Sequence, residues 1–269
     1  MRVACPAKIN TFLAVGPPDR SGYHPIRTVF QAVGLYDYLT ITPSSTGVSH
    51  VTSTWGELPE ENTLTKVLRF CAELIDIPPL HVHLEKNIPS QAGLGGGSSD
   101  AAGLLRGLEA MLGSFAMGHQ QMVAEAVGAD ASFFLVGGCA RAEGYGEKIH
   151  PLPDPERHWV VIAKPSMGIS TAEAYAKLDA IEREWLPFPE DPYAFHNDFE
   201  RIMPCDLDDI REHLLVKKAK CAGLSGSGSA IFGLFGSQEL AENASESLRR
   251  DMSVSVVPTL TRQESLWIS

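Results

Sequence analysis

The chain has 269 residues, 44% of them hydrophobic, with 33 acidic against 22 basic side chains and a formal charge of -11. That length and apolar content suffice for one large domain or two closely joined ones and argue against disorder. The acid excess excludes a general electrostatic attraction to nucleic acid or anionic lipid, so any phosphate must be met locally.

Cys5, Cys71, Cys139, Cys205 and Cys221 are scattered, with no Cys-x-x-Cys pair and no histidine spacing for zinc. They read as reduced structural thiols. The opening MRVACPAKIN has no apolar h-region, and no uncharged apolar run approaches the roughly 20 residues of a membrane span. A cytoplasmic protein with no membrane partner is expected.

From Arg2 to Val15 the pattern has a period of two, which predicts a strand. Val3, Cys5, Ala7, Ile9, Leu13 and Val15 share one face, Lys8 and Asn10 the other. On local sequence alone Lys8 reads as a lysine on the wet side of an edge strand. PPDRSGYHPIR reads as a loop and TVFQAVGLYDYLTITP as strand. Residues near 62–74 place Leu64, Val67, Leu68, Cys71 and Leu74 on one helical stripe, with Asn62 or Thr63 as cap.

After the strand LHVHLEKNIP comes SQAGLGGGSSDAAGLLRGLEAML, where Ala101, Leu104, Leu105, Leu108 and Leu112 recur at helical spacing. A glycine loop therefore runs straight into a helix. A helix around 119–127 ends at Gly128, and a short apolar element follows it. The prolines and charges of PLPDPERH suggest a boundary near 150, giving domains 1–150 and 151–269. Beyond it lie the strand WVVIAKP, helices over 172–185 and 239–251, and strands SAIFGLF and SVSVVPTL. Mixed elements without repeats fit an α+β class.

Gly93, Gly95, Gly96 and Gly97 remove Cβ from four of five positions, so main chain can lie against a ligand. Opening a helix, the loop offers unpaired N–H donors and the positive end of the macrodipole to an anion. Ser98 and Ser99 add hydroxyls for phosphate or magnesium, or serve as the cap. No Lys-Ser/Thr pair follows the last glycine, so the loop is not a Walker A motif, and it fails the dinucleotide fingerprint at its third glycine.

This loop resembles the central motif of the GHMP kinases, named for galacto-, homoserine, mevalonate and phosphomevalonate kinases. PAKIN resembles their first motif and GLSGSGSAIF their third, so the resemblance spans roughly the whole chain. It implies an N-terminal ribosomal-protein-S5-like α/β domain and a C-terminal ferredoxin-like α+β domain, with the active site in the cleft between them. SGYHPIRTVFQ, GADASFF, EGYGE, STAEAY and HNDFE resemble the branch that uses ATP to phosphorylate the 2-hydroxyl of 4-diphosphocytidyl-2-C-methyl-D-erythritol, in non-mevalonate isoprenoid biosynthesis. Asp100 departs from it, standing where many relatives carry asparagine, and adds a negative charge near the loop.

The resemblance implies catalytic roles for Lys8 and Asp130, Asp130 being the general base. Asp130 alone would pass for the cap of the element after Gly128. ATP would lie against Pro89, Ala92, Gly93, Leu94, Gly95, Gly96, Gly97, Ser98 and Ser99, with Asn62 and Lys86 as adenine contacts and Mg2+ on the polyphosphate, its ligands unknown. Tyr23 and Tyr175 would hold the cytosine, His24 its polar edge, and Asn10, Thr171, Gly226, Ser227 and Gly228 the rest of the substrate. Without the other motifs Tyr23 and His24 read as ordinary loop, and residues 226–228 as an inter-strand turn. The alternatives are another GHMP kinase of homoserine or mevalonate type, and a non-catalytic metabolite-binding protein of this fold. A small-molecule substrate, no nucleic acid, and a monomer or weak homodimer are expected.

Overall fold

The computed structural model describes residues 1–113 and 117–269. Its frame is an antiparallel hairpin of β1 (Arg2–Val15) and β2 (Ile26–Pro43). β3 (His50–Ser53) and β4 (Leu80–Glu85) extend the sheet beyond β2, and β5 (Cys139–Glu143) and β6 (Lys148–Pro151) continue from the other end of β2. β1 is no edge strand. It also pairs in parallel with β8 (His196–Asn197), and both its faces are covered. Val3 and Cys5 pack with Leu64 and Leu104, whereas Ala7 and Ile9 pack with Ile88, Leu94 and Phe232. Lys8 is therefore buried, 3% exposed, which overturns the wet-side reading.

The expectation of one apolar face from Val3 to Val15 also fails. The β1–β2 register shifts between Pro6 and Ala7 and again between Asn10 and Phe12. At the second shift Thr11 is an extra residue on β1, and a one-residue shift inverts the facing of every side chain beyond it. Leu13 thereby joins Lys8 and Asn10 on one cavity wall.

Helices α1 (Thr63–Leu74) and α2 (Gly96–Leu112) cover the sheet. Asn62 caps α1, its Oδ1 accepting from Leu64 N and Thr65 N at 3.0 and 3.1 Å. Leu64, Val67, Leu68 and Cys71 are buried, but Leu74 is exposed at the helix end. α3 (Met117–Val127) and α4 (Ala131–Val136) follow, α4 being the short apolar element beyond Gly128.

The second sheet has the order β11 (Ser253–Pro258), β7 (Trp159–Lys164), β10 (Ile231–Phe235), β9 (Cys221–Leu224). α6 (Cys205–Val216) and α7 (Gln238–Ser245) pack on it, α5 (Thr171–Asp179) packs on the 3-10 turn Asp198–Ile202, and α8 (Arg262–Ser265) returns to the first sheet. The helix expected over 172–185 stops at Asp179 because Arg183 folds back to donate to the Leu178, Val15 and Gly16 carbonyls. The helix expected over 239–251 breaks after Ser245, whose hydroxyl donates to the Glu242 carbonyl and competes with the helical ladder. A 3-10 turn, Leu248–Arg250, follows.

Candidate active site

The loop between β4 and α2 is seated by main chain. Lys8 N donates to Leu94 O at 3.0 Å and Ala230 N to Ala92 O at 3.2 Å, while Ser225 Oγ donates to Gly93 O at 2.9 Å. Gly93 and Gly95 both have φ of +72°, a region that favours glycine. A Cβ at Gly93 would collide with the Ser225 carbonyl, and one at Gly95 would lie 2.8 Å from the Phe134 ring. α2 begins at Gly96 with no side-chain cap, and its first α-helical bond is Ser99 N to Gly95 O at 2.9 Å. The N–H groups of Gly96, Gly97 and Ser98 thus precede the ladder at the positive end of the helix dipole.

Two cavities flank this strip. One of about 330 Å³ is lined by Pro89, residues 92–97, Trp55, Asn62, Lys86 and Asp100. The other, about 200 Å³, is lined by Lys8, Asn10, Asp130, Tyr145, Thr171, Tyr175, Gly226 and Ser227. Gly93 and Gly95 line both. Ser99 is fully buried with an unpartnered hydroxyl. Ser98 lies against Gly128, its Oγ 3.4 Å from the point a Cβ there would occupy.

Lys8 and Asp130, 122 residues apart in sequence, meet on the second cavity, Nζ to Oδ2 at 3.5 Å. Lys8 Nζ also donates to Asn10 Oδ1 at 2.6 Å, and Asn10 Nδ2 donates to Thr28 Oγ1 at 2.8 Å. Burial lowers the Lys8 ammonium from its ordinary value, and Asp130 opposes that shift. Asp130 stands at the N-terminus of α4 but makes no capping hydrogen bond. Its carboxylate is spent on Lys8 and is 30% exposed to the cavity.

The aromatic residues are less closely gathered. His24 is buried, its Nδ1 2.9 Å from Gly16 O and its Nε2 3.3 Å from Asp179 Oδ2. Its ring stacks on Tyr175, centroids 5.0 Å apart, and burial pushes the Tyr175 phenol up to about 12. Tyr23 is 68% exposed and meets Tyr145 edge-on at 5.8 Å rather than Tyr175. Tyr145 donates to Asp19, whose hydrogen bonds from Ser21 and Tyr145 hold its carboxyl down to about 2. Thr171 Oγ1 and Ser227 Oγ are 3.0 Å apart, and Gly228 N closes its turn onto Ser225 O at 3.0 Å.

Two expected adenine contacts line the first cavity with their side chains already engaged. Asn62 caps α1 and donates to Pro59 O. Lys86 is ion-paired to both Asp37 and Asp100. Sequence reasoning assigned no role to Tyr145, which lies within EGYGE, nor to Asp37, whose partners Lys86, Asn87 and Ile88 lie 49 to 51 positions downstream.

The model of the GHMP kinases N terminal domain matches residues 62–138 and that of the GHMP kinases C terminal domain residues 192–254. The chain is 33% identical to the 4-diphosphocytidyl-2-C-methyl-D-erythritol kinase of Desulfitobacterium hafniense (strain Y51), covering 95% of this chain and 94% of that one. It is 34% identical to the kinase of the same name from Geobacter metallireducens, over 92% and 94%. A crystal structure of 4-(cytidine 5'-diphospho)-2C-methyl-D-erythritol kinase superposes with a TM-score of 0.82 at 30% identity, over 96% of this chain and 99% of that one. A mevalonate kinase superposes at 0.75 with 13% identity, a likeness of fold alone. With a glycine strip between two cavities and a buried lysine facing an aspartate, the chain belongs to the GHMP kinase family and, within it, to the 4-diphosphocytidyl-2-C-methyl-D-erythritol kinases.

Proposed function

We propose that the protein transfers the γ-phosphoryl group of ATP to the 2-hydroxyl of 4-diphosphocytidyl-2-C-methyl-D-erythritol, a step in the non-mevalonate route to isoprenoid precursors. The observation that carries this reading is the Lys8–Asp130 pair, 3.5 Å apart, on a cavity that shares Gly93 and Gly95 with the cavity at the α2 N-terminus. A donor phosphoryl on the loop and an acceptor hydroxyl beside Asp130 would meet across one strip of main chain, which is the positioning that phosphoryl transfer needs.

The triphosphate would take the free N–H groups at the start of α2. Asp130 would accept the hydroxyl proton as the acceptor oxygen bonds to the γ-phosphorus. The bond from that phosphorus to the β–γ bridging oxygen breaks, and ADP leaves. Lys8, fixed by Asn10, would face the charge gathering on the transferred group. Among the described residues no three His, Cys, Asp or Glu side chains form a metal site. A Mg2+ ion would arrive on the polyphosphate, where it would neutralise phosphate charge and meet the Ser98 hydroxyl.

The acceptor class rests on the aromatic wall. Tyr175 on His24 offers a flat surface for a pyrimidine, with Tyr23 and Tyr145 as an outer lip. Thr171 and Ser227, side by side at the α5 N-terminus, would meet the substrate's diphosphate. Homoserine and mevalonate have no base for such a wall.

The test is ATP-dependent phosphorylation of the cytidine diphosphate alcohol, homoserine and mevalonate by the chain and by Asp130→Asn. Turnover on the first acceptor alone is expected, falling roughly 10²- to 10⁴-fold in the variant. Near-normal turnover by a folded Asp130→Asn protein would remove the general base from this scheme, and preference for another alcohol would remove the acceptor.

A further inference from the structure

The segment His196–Glu200 ties together three parts of the molecule that border the acceptor cavity. Phe199 lies under Tyr175, rings nearly perpendicular and centroids 5.0 Å apart, and lines the cavity itself. Asp198 Oδ2 accepts from Val15 N at 2.7 Å, at the end of β1. Glu200 Oε1 accepts from Leu224 N at 2.8 Å, at the end of β9. Asn197, 3% exposed, reaches in two directions at once. Its Oδ1 accepts from Phe199 N at 3.0 Å, and its Nδ2 donates to Leu224 O at 2.8 Å and to Gly226 O at 2.9 Å. Two carbonyls face one end of the amide and an N–H the other, so its orientation is fixed by its partners and both of its protons are used.

Gly226 is where this anchoring reaches the chemistry. It has φ of +57° and lies against the phosphate strip, a Cβ there being 3.3 Å from Gly93 Cα and 3.5 Å from Asn10 Oδ1. Asn10 is the group that accepts from Lys8 Nζ. The next residue, Ser227, meets Thr171 of α5. The Gly226 turn thus stands between the strip, the Lys8–Asn10 pair and the acceptor side, and Asn197 holds its carbonyl. Asn197 itself lines neither cavity.

We propose, resting on the phosphoryl-transfer reading above, that Asn197 is a positioning residue for the transfer step: it fixes the Gly226 turn and, through Phe199, the Tyr175 wall as one unit, and so sets the approach of the acceptor hydroxyl to the donor phosphoryl. Each ligand has contacts of its own, the polyphosphate at the α2 N-terminus and the base on Tyr175, and neither set includes this amide. What the amide holds is their relation, which counts only when both are bound and reacting. Loss of its protons leaves two buried carbonyls without a partner, and the turn moves to satisfy them. An amide that served only to cap the 3-10 turn would act through its oxygen, and its loss would be felt as stability alone.

The two ends of the amide can be tested apart. Asn197→Asp keeps one oxygen for Phe199 N and sets the other against the two carbonyls, whereas Asn197→Ala removes both ends. The full chain is assayed with MgATP and the cytidine diphosphate alcohol, well below the Tm of each variant. In Asn197→Asp kcat is expected to fall roughly 100-fold, the cost of a misplacement of about 1 Å, with both KM values within about threefold of the parent. Asn197→Ala should show the same division between kcat and KM. Asp198→Asn, in the same segment but tied to β1 instead of the turn, should lower the Tm and leave kcat within about threefold.

A lowered Tm with unchanged kcat per folded molecule in Asn197→Asp overturns the proposal, as does a rise in either KM that accounts for the whole loss. An equal fall of kcat in Asp198→Asn overturns it too, since any damage to the segment would then suffice. Should neither Asn197 variant fold, heteronuclear NMR of the parent decides. Side-chain amide protons of Asn197 that exchange more slowly in the ternary complex with a non-hydrolysable ATP analogue and the acceptor than in either binary complex support the proposal, and equal exchange in all three overturns it. Failure of the parent to phosphorylate this acceptor overturns the reading beneath, and is told apart because it appears before any substitution is made.

Discussion

The glycine loop at residues 93–97 and the loop at residues 16–25 approach the same acceptor cavity, and they are held by opposite means. The first is seated by main-chain bonds from Lys8 and Ala230 and by the Ser225 hydroxyl, in a space that excludes even a Cβ at Gly93. The second closes on itself through the Gly16, Asp19 and Gly22 N–H groups but meets the cavity wall only through side chains. Asp19 gathers Ser21 and Tyr145, His24 leans on Tyr175 and Asp179, and Tyr23 stays largely in solvent. A phosphate-binding strip built from backbone has one shape, whereas a base-binding wall built from rings and hydroxyls can adjust to its ligand. Substitutions should therefore act sharply on the first and by degrees on the second.

The largest effect tests the rigid side. Gly93→Ala places a methyl against the Ser225 carbonyl at a left-handed φ. The seat must shift, and kcat/KM for ATP is expected to fall roughly 100-fold or more in steady-state assays. Gly97→Ala is the control: its Cβ would meet nothing closer than Thr63 at 3.6 Å. Inside the first helical turn it should stabilise by about 0.5–1 kcal/mol, read as a raised Tm. Equal damage from both would mean that glycine content, rather than the fit at residue 93, matters.

On the adjustable side, Tyr175→Ala removes the ring stacked on His24. The KM for the cytidine substrate is expected to rise roughly 5- to 150-fold, the range of one base–aromatic stack, with the KM for ATP unchanged. Tyr175→Phe should stay within about threefold because the ring remains. A comparable rise in both KM values would erase the distinction between the two regions.

The smallest effect belongs to Asp19→Asn, which weakens the tie to Tyr145 without touching either cavity wall directly. A rise of about two- to threefold in the KM for the acceptor is expected. The sign with pH is fixed by the depressed carboxyl. Its contribution to loop order is complete above the unfolded carboxylate value near 4 and is lost as the pH falls through about 2. Acceptor binding from neutral pH down to 5 should therefore show no loss arising from this residue.

What could be read in the sequence depended on how far apart the interacting residues lie. The entry of the glycine loop into α2, the Asn62 cap and the buried stripe of α1 are local patterns, and each was legible. The burial of Lys8 was not, because its face of β1 is covered by Phe30 of β2 and by Gly95 and Asp130, which lie 87 and 122 positions downstream. Nor was β3, four residues long and paired in parallel with a strand some thirty positions away. Asp130 looked like a cap because a carboxylate ahead of a short helix does that elsewhere; only proximity to Lys8 shows where it points. Asp100 stands out in the sequence only as a departure, since its link to Asp37 through Lys86 spans three segments.

The additional residue at Thr11 gives β1 a phase as well as a length. Upstream of it, even-numbered positions look toward the chemistry; downstream, odd-numbered ones do. Pairing that threonine regularly with Val29 would change no residue of the segment, yet would bring the phenyl of Phe12 round to the wall where Leu13 now stands. Swapping this stretch with that of another family member must preserve the phase of pairing beyond Asn10, much as a reading frame must be preserved when coding segments are joined.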